Sequence, residues 1–86
     1  MKTKILIVED NPIIGEDLAA YMNEFGHEAV GHVTNAEETL RLLKEKSVDL
    51  ILMDVGLESE IDGIQLASLI REKYKLPIIF LTALYD

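Results

Sequence analysis

The stretch that most constrains the fold is Leu50–Met53, four consecutive apolar residues followed at once by Asp54. A run of this length without a polar residue is typical of a strand that is covered on both faces, as in a parallel sheet. Asp54 then lies at the carboxyl end of the strand. In open α/β sheets ligands bind at this edge, because loops and helix N-termini with unpaired backbone groups meet there. The sequence therefore predicts a parallel sheet with a carboxylate at this edge.

Two further apolar runs end in the same way. Ile5–Val8 is followed by Glu9 and Asp10, and Ile78–Leu81 is followed by Thr82. The carboxyl ends of parallel strands meet at one edge of a sheet, so these strand ends bring carboxylates and a hydroxyl to the same edge as Asp54.

The first helix is marked at both ends. Asn11 is a good cap residue, and Pro12 is tolerated at a first helical position because its missing N–H would have been unpaired anyway. Gly26 is the expected stop. One apolar stripe with helical spacing predicts the buried face of this helix, formed by Ile14, Leu18, Met22 and Phe25.

A weaker and more polar run from His27 to Val33 predicts an edge strand. His27 and His32 have no matching acid or nucleophile, so we expect both rings to be solvated. Phosphohistidine chemistry is therefore not expected in this chain.

Two cap signals predict the remaining helices. Asn35 and Glu38 have capping-box spacing, and Asp62 with Gln65 repeats the pattern, so a third helix is predicted from about Gly63 to Tyr74. The residues expected to face the core are Ala36, Leu40 and Leu43 in the second helix and Leu66, Ala67 and Ile70 in the third.

The resulting order is β-α-β-α-β-α-β. The connections are long enough only for crossover helices, which implies a parallel sheet wound right-handedly. At 86 residues the chain forms one domain at most, and no repeat or linker divides it. The fold class is therefore α/β.

Composition excludes several function classes. The formal charge of −8 leaves no basic footprint for direct nucleic-acid binding. The absence of cysteine excludes disulfides, thiolate metal sites and a cysteine nucleophile. The N-terminal apolar run is too short for a signal peptide or a membrane span, so we expect a cytoplasmic protein without membrane contact.

Four motifs occur in a fixed order: residues 5–11, residues 50–54, residues 62–64 and residues 77–83. In this order and spacing the whole chain resembles the receiver domain of two-component response regulators. The resemblance implies a flavodoxin-like sheet of order 2-1-3-4-5, of which this chain would hold 2-1-3-4. It also implies a phosphoprotein of a phosphorelay signal transduction system rather than an enzyme, with a sensor histidine kinase or phosphotransfer protein as its partner.

The resemblance carries the family's site residues onto this chain. Asp54 resembles the phosphoacceptor and Asp10 the acid that binds Mg²⁺ directly, together with Asp54. Glu9 resembles the acid that supports the metal through water, and Gly56 would supply a metal-binding backbone carbonyl. Thr82 resembles the switch hydroxyl that moves toward the phosphoryl group.

These roles are chemically consistent with the residues. Three clustered carboxylates raise one another's pKa, so a divalent cation is the expected companion, and Mg²⁺ suits an all-oxygen site. With the charge of the donor shielded, the Asp54 carboxylate can attack phosphorus in line and form an acyl phosphate. A hydrogen bond from Thr82 to the phosphoryl group would change the surface that partners meet.

Two features depart from the family pattern. Glu58 follows Leu57 where the family usually has a proline, and one extra residue precedes Asp62, so the path of this loop is expected to differ. The chain also stops at Asp86, before the last helix, strand and helix of a full receiver, and no catalytic lysine is present. Because strand four and the sheet face beside helix one would lose their cover, we expect a fragment of a longer protein or self-association, such as a dimer.

Simpler interpretations remain for single residues. Asp10 and Asn11 can act as helix caps, Asp54 as a turn residue and Thr82 as an ordinary strand residue. Two other functions remain as well. One is a receiver-like interaction module that is never phosphorylated. The other is a Mg²⁺-dependent phosphohydrolase with an aspartate nucleophile, which is disfavoured because its second acid would fall at Gly56.

Overall fold

The computed structural model describes residues 2–56 and 62–81. Within them, strands and helices alternate as predicted from the sequence. The elements are β1 (Lys4–Val8), α1 (Pro12–Glu24), β2 (Glu28–Val33), α2 (Ala36–Glu45), β3 (Leu50–Asp54), α3 (Gly63–Tyr74) and β4 (Ile78–Leu81). No helix in this described part of the chain combines the length and the apolar character needed to cross a lipid bilayer.

The strands form one sheet in the order β2-β1-β3-β4, and every pair is parallel. Val8 at the end of β1 pairs with Met53, and Asp54 at the end of β3 pairs with Leu81. The carboxyl ends therefore meet at one edge, and both the fold class and the strand order 2-1-3-4 are confirmed.

The core lies on both faces of the sheet. The larger cluster packs β1 and β3 against α2 and α3, and its buried members include Leu6, Val8, Val33, Leu43, Ile51, Met53, Leu66, Ala67 and Ile70. The smaller cluster packs Ile5, Ile7 and Leu52 against Leu18, Ala19 and Met22 of α1. Burial on both faces explains why the central strands read as unbroken apolar runs.

The helix caps next to the acidic sheet edge are complete. Asn11 Oδ1 accepts hydrogen bonds from the N–H groups of Ile13 and Ile14 at 2.9 and 3.2 Å, which begins α1 directly after the β1 acids. At α3, Asp62 Oδ1 accepts from the Gln65 N–H at 2.8 Å, while Gln65 Oε1 accepts from the Asp62 N–H at 3.0 Å. This capping box fixes the start of α3 beside the end of β3.

Three local predictions need correction. Phe25 is the C-cap of α1 and is 69% exposed, because the chain leaves the helix there and the stripe does not continue. The strand β2 begins at Glu28, so His27 precedes it. Asn35 caps α2 as expected. The capping-box spacing predicts that the Glu38 carboxylate bonds to the Asn35 N–H, but it accepts hydrogen bonds from the N–H and hydroxyl of Thr34, both at 2.9 Å. These hydrogen bonds lower the pKa of Glu38.

Candidate functional site

Three carboxyl groups converge at the carboxyl edge of the sheet. Glu9 and Asp10 follow β1, and Asp54 is the last residue of β3. One carboxylate oxygen from each residue lies within 4.8 Å of those of the other two. Glu9 is buried, whereas Asp10 and Asp54 are half-buried. The strand ends thus bring together the three acids that the sequence placed at this edge.

The buried acid of this cluster is Glu9, whose side chain is 7% exposed. Its Oε2 atom is buried and has no hydrogen-bond partner among the described residues. Burial, together with the neighbouring Asp54 and Asp10 carboxyl groups, raises the pKa of Glu9 from 4.5 to about 8. Each of these effects disfavours the charged form. A cation at the cluster would reverse that balance.

The carboxylate of Asp54 is oriented by its own turn. The Gly56 N–H donates a hydrogen bond to Asp54 Oδ1 at 3.0 Å. This contact is typical of an aspartate that begins a turn. Asp54 is therefore a turn residue and a member of the acidic cluster at once, so the two interpretations of this residue do not exclude each other.

The start of α3 lies against the backbone that carries Asp54. Gly63 is buried, and a Cβ atom at this position would overlap the carbonyl oxygen of Asp54 and lie 3.1 Å from that of Val55. Only glycine allows the helix to approach the end of β3 this closely. The sequence predicts Gly63 as the start of a helix but carries no local signal for this contact with β3.

The environment of His32 corrects the expectation of a solvated ring. His32 is half-buried near the end of β2, and its Nε2 lies 2.8 Å from the backbone carbonyl oxygen of Glu9. The ring packs over Gly15 of α1, where a Cβ atom would overlap it. A glycine inside an otherwise ordinary helix was the signal in the sequence that could have revealed this contact.

The donor set at the cluster fits a hard divalent cation. All three side chains offer oxygen. Glu9 Oε2, buried and without a hydrogen-bond partner in residues 2–56 and 62–81, is the kind of group that a metal ion or a metal-bound water satisfies. Gly56 lies beside the cluster through its bond to Asp54. Thr82, Glu58 and the loop around Glu58 lie outside the described residues.

A family model described as the response regulator receiver domain matches residues 5–86. The chain belongs to the response regulator receiver family. As a receiver domain it is a signalling domain and not an enzyme. The resemblance inferred from the four motifs is thereby confirmed.

Curated relatives agree with this assignment. The receiver chain is 40% identical over 80 residues to the transcriptional regulatory protein PdtaR of Mycobacterium tuberculosis, a match that covers 93% of this chain and 38% of PdtaR. It is 34% identical over 84 residues to the phyllosphere-induced regulator PhyR of Methylorubrum extorquens, covering 96% of this chain and 32% of PhyR. The chain therefore spans well under half the length of these relatives.

A solved structure shows the same fold. The signal receiver domain of a modulated diguanylate cyclase from Desulfovibrio desulfuricans superimposes on this receiver chain with a TM-score of 0.90 at 31% identity. The match covers 98% of this chain and 67% of the solved one.

Proposed function

We propose that this receiver domain is a phosphorylation-dependent switch in which Asp54 accepts a phosphoryl group from a sensor histidine kinase or phosphotransfer protein. The observation that carries the proposal is the convergence of Glu9, Asp10 and Asp54 within 4.8 Å at the carboxyl edge of a receiver sheet. Strand-end carboxylates alone would be ordinary turn residues. Three of them this close together disfavour one another's charged forms, and within the described residues Glu9 Oε2 is buried without a hydrogen-bond partner, so a bound cation would stabilise the charged cluster.

Mg²⁺ is the proposed ion, held by Asp10, Asp54 and the Gly56 carbonyl, with Glu9 acting through water. When bound, it supplies positive charge that offsets the repulsion between the acidic cluster and an anionic phosphoryl donor. The small, oxygen-only donor set suits Mg²⁺, which keeps several of its waters. The Gly56 N–H orients the Asp54 carboxylate through its bond to Oδ1.

In the proposed reaction, an Asp54 carboxylate oxygen attacks the donor's phosphorus in line. The bond between phosphorus and the leaving group breaks, the leaving group keeps the electron pair, and an acyl phosphate remains on Asp54. Thr82, which follows β4 directly in the sequence, is the proposed hydrogen-bond donor to the new phosphoryl oxygens. That contact would change the surface shown to partners.

The test is intact-protein mass spectrometry after incubation with Mg²⁺ and acetyl phosphate. We expect a gain of one phosphoryl group that hydroxylamine removes, because hydroxylamine cleaves acyl phosphates. Asp54→Asn should show no gain, since the amide is not a nucleophile but can keep the turn. Asp49→Asn is the matched control, because Asp49 is exposed at the other end of β3 and should leave the gain unchanged.

A parent chain that folds and binds Mg²⁺ but gains no phosphoryl group would contradict this proposal. It would favour the alternative of a receiver-like interaction module that is never phosphorylated. A gain that survives in Asp54→Asn would place the acceptor elsewhere.

We also propose that a second copy of the chain covers the outer edge of the sheet. Within residues 2–56 and 62–81, β4 pairs with β3 alone. Ile79, which pairs with Leu52, is 51% exposed. An exposed strand edge beside an exposed apolar side chain favours association between chains.

Sedimentation of the chain over a range of concentrations tests this association. We expect a species larger than the monomer, and Ile79→Lys should shift it to the monomer, because a charged side chain would have to be buried at the contact. Ile64→Lys is the matched control, since Ile64 is 54% exposed on α3 and not on the sheet. A parent chain that is folded and monomeric at every concentration would count against the proposal.

A further inference from the structure

The contact between His32 and Glu9 is not used by the proposed reaction, and it involves the backbone of a member of the acidic cluster. His32 Nε2 is 2.8 Å from the backbone carbonyl oxygen of Glu9. A carbonyl oxygen can only accept a hydrogen bond, so the Nε2 nitrogen carries a hydrogen and donates a hydrogen bond to the Glu9 carbonyl. A side chain of the edge strand β2 thus holds the backbone at the end of β1.

The backbone of Glu9 is held to β2 at both of its polar atoms. Its N–H donates to the carbonyl of Val33 at 3.0 Å, and its carbonyl accepts from His32. The ladder between β1 and β2 ends with the pair Val8 and Val33, so the His32 bond lies one step beyond the regular ladder. Because the peptide unit that joins Glu9 to Asp10 is planar, fixing its carbonyl also fixes the direction in which the chain enters Asp10.

The helix α1 is adapted to the His32 ring. Gly15 is the buried residue of this helix, and a Cβ atom on it would overlap the ring at Nε2, Cε1 and Cδ2. Glycine is a poor residue for a helix interior, since it has more conformational freedom to lose than alanine. Its presence here has a direct physical reason, which is the space that the His32 ring needs to reach Glu9.

We infer that His32 is a positioning residue of the acidic site, which holds the Glu9–Asp10 pair in place through the Glu9 carbonyl. The inference rests on the proposed function, in which Asp10 binds Mg²⁺ directly and Glu9 supports it through water. Groups that orient metal ligands through hydrogen bonds typically change metal affinity when they are removed, although they do not touch the ion. Gly15 supports His32 by leaving room for its ring.

The experiment is a titration of the 86-residue chain with Mg²⁺ at constant pH, in which binding is measured by the shifts of backbone amide signals in NMR spectra. His32→Leu keeps an apolar side chain over Gly15 but removes the donor. We expect its Mg²⁺ affinity to fall by roughly tenfold or more. His32→Gln can place an amide donor near the position of Nε2, so its affinity should return close to that of the parent.

Two further variants complete the design. His27→Leu is the matched control. His27 directly precedes the first residue of β2, at the opposite end of the strand from His32, so the same substitution there should leave Mg²⁺ affinity unchanged. Gly15→Ala displaces the His32 ring without altering it, so we expect a loss of affinity similar to that of His32→Leu. The double variant with His32→Leu and Gly15→Ala should lose little more Mg²⁺ affinity than either single variant, since both changes break the same contact.

The outcomes separate this inference from the proposed function. Unchanged Mg²⁺ affinity in both His32→Leu and Gly15→Ala, with a parent that binds Mg²⁺, would overturn the positioning role alone. An equal loss in His32→Gln and His32→Leu would also overturn it, because the donor would then not be what matters. A parent that neither binds Mg²⁺ nor accepts a phosphoryl group would overturn both proposals. If His32→Leu does not fold, His32→Gln and Gly15→Ala still decide between these outcomes.

Discussion

Glutamine in place of Glu9 is expected to stabilise the metal-free chain at pH 8 by on the order of 3 kcal/mol. Glu9 is 7% exposed, and burial with two neighbouring carboxyl groups raises its pKa from 4.5 to about 8. At pH 8 the unfolded chain gains free energy by ionising Glu9, which the folded chain does less readily. A neutral amide of the same shape removes this difference. The amide can also donate hydrogen bonds to the neighbouring carboxylates.

The pH dependence of stability has a definite sign. The unfolded chain loses the Glu9 proton near pH 4.5, whereas the folded chain keeps it up to about pH 8. Between these values the folded state binds more protons, so the free energy of unfolding should fall as the pH rises through this window. In Glu9→Gln the free energy of unfolding should not show this decrease with pH. Urea unfolding at a series of pH values without divalent metal measures both effects.

The control for this prediction is Glu16→Gln, which removes the same charge from an exposed position on α1. It should leave the slope between pH 4.5 and pH 8 unchanged. Millimolar Mg²⁺ should restore stability to the parent near pH 8 and less so near pH 5, because protons compete with the metal for the same oxygens. A parent whose stability is flat across this window, or a Glu9→Gln variant with no gain near pH 8, would contradict the assignment of Glu9 as the buried acid.

The strands and the acidic edge could be predicted because their signals are local. An apolar run such as Ile5–Val8 by itself indicates a strand buried on two faces. The acids directly follow such runs in the sequence. Parallel pairing then places Asp10 and Asp54 at one edge without further information. The order of the strands came from the family resemblance, since alternating elements allow more than one order.

The hydrogen bonds made by His32 and Glu38 could not be predicted, because they depend on how strands, helices and turns pack together. His32 reaches the Glu9 carbonyl only because the β1–β2 register places it opposite Ile7, after an irregularity between Ile5 and Leu6. Nothing near His32 in the sequence encodes that register. Glu38 likewise bonds to Thr34 because the turn before α2 brings the two together, and spacing alone had indicated only a capping box.

Alanine in place of Gly63 is expected to lower the free energy of unfolding by about 2–3 kcal/mol, although alanine is the better helix former by roughly 1 kcal/mol. Its Cβ would overlap the carbonyl oxygen of Asp54, a backbone atom that cannot turn aside as a side chain can. Either the start of α3 or the end of β3 has to shift. Because the end of β3 carries Asp54, phosphorylation by acetyl phosphate should slow as well. Urea unfolding and the rate of phosphoryl gain measure the two effects.

Gly26→Ala is the matched control for Gly63→Ala, because the two glycines are needed for different reasons. Gly26 has φ of 93°, and no atom of the described residues lies within 4 Å of its missing Cβ, so alanine there should cost about 1–2 kcal/mol through backbone strain alone. It lies at the end of α1, away from the acidic cluster, and should not alter the phosphorylation rate. If Gly63→Ala is as stable as the parent and is phosphorylated at the same rate, α3 can shift away from β3 without moving Asp54. Loss of both stability and rate in Gly63→Ala, against loss of stability alone in Gly26→Ala, would tie the packing of α3 to the position of the acceptor.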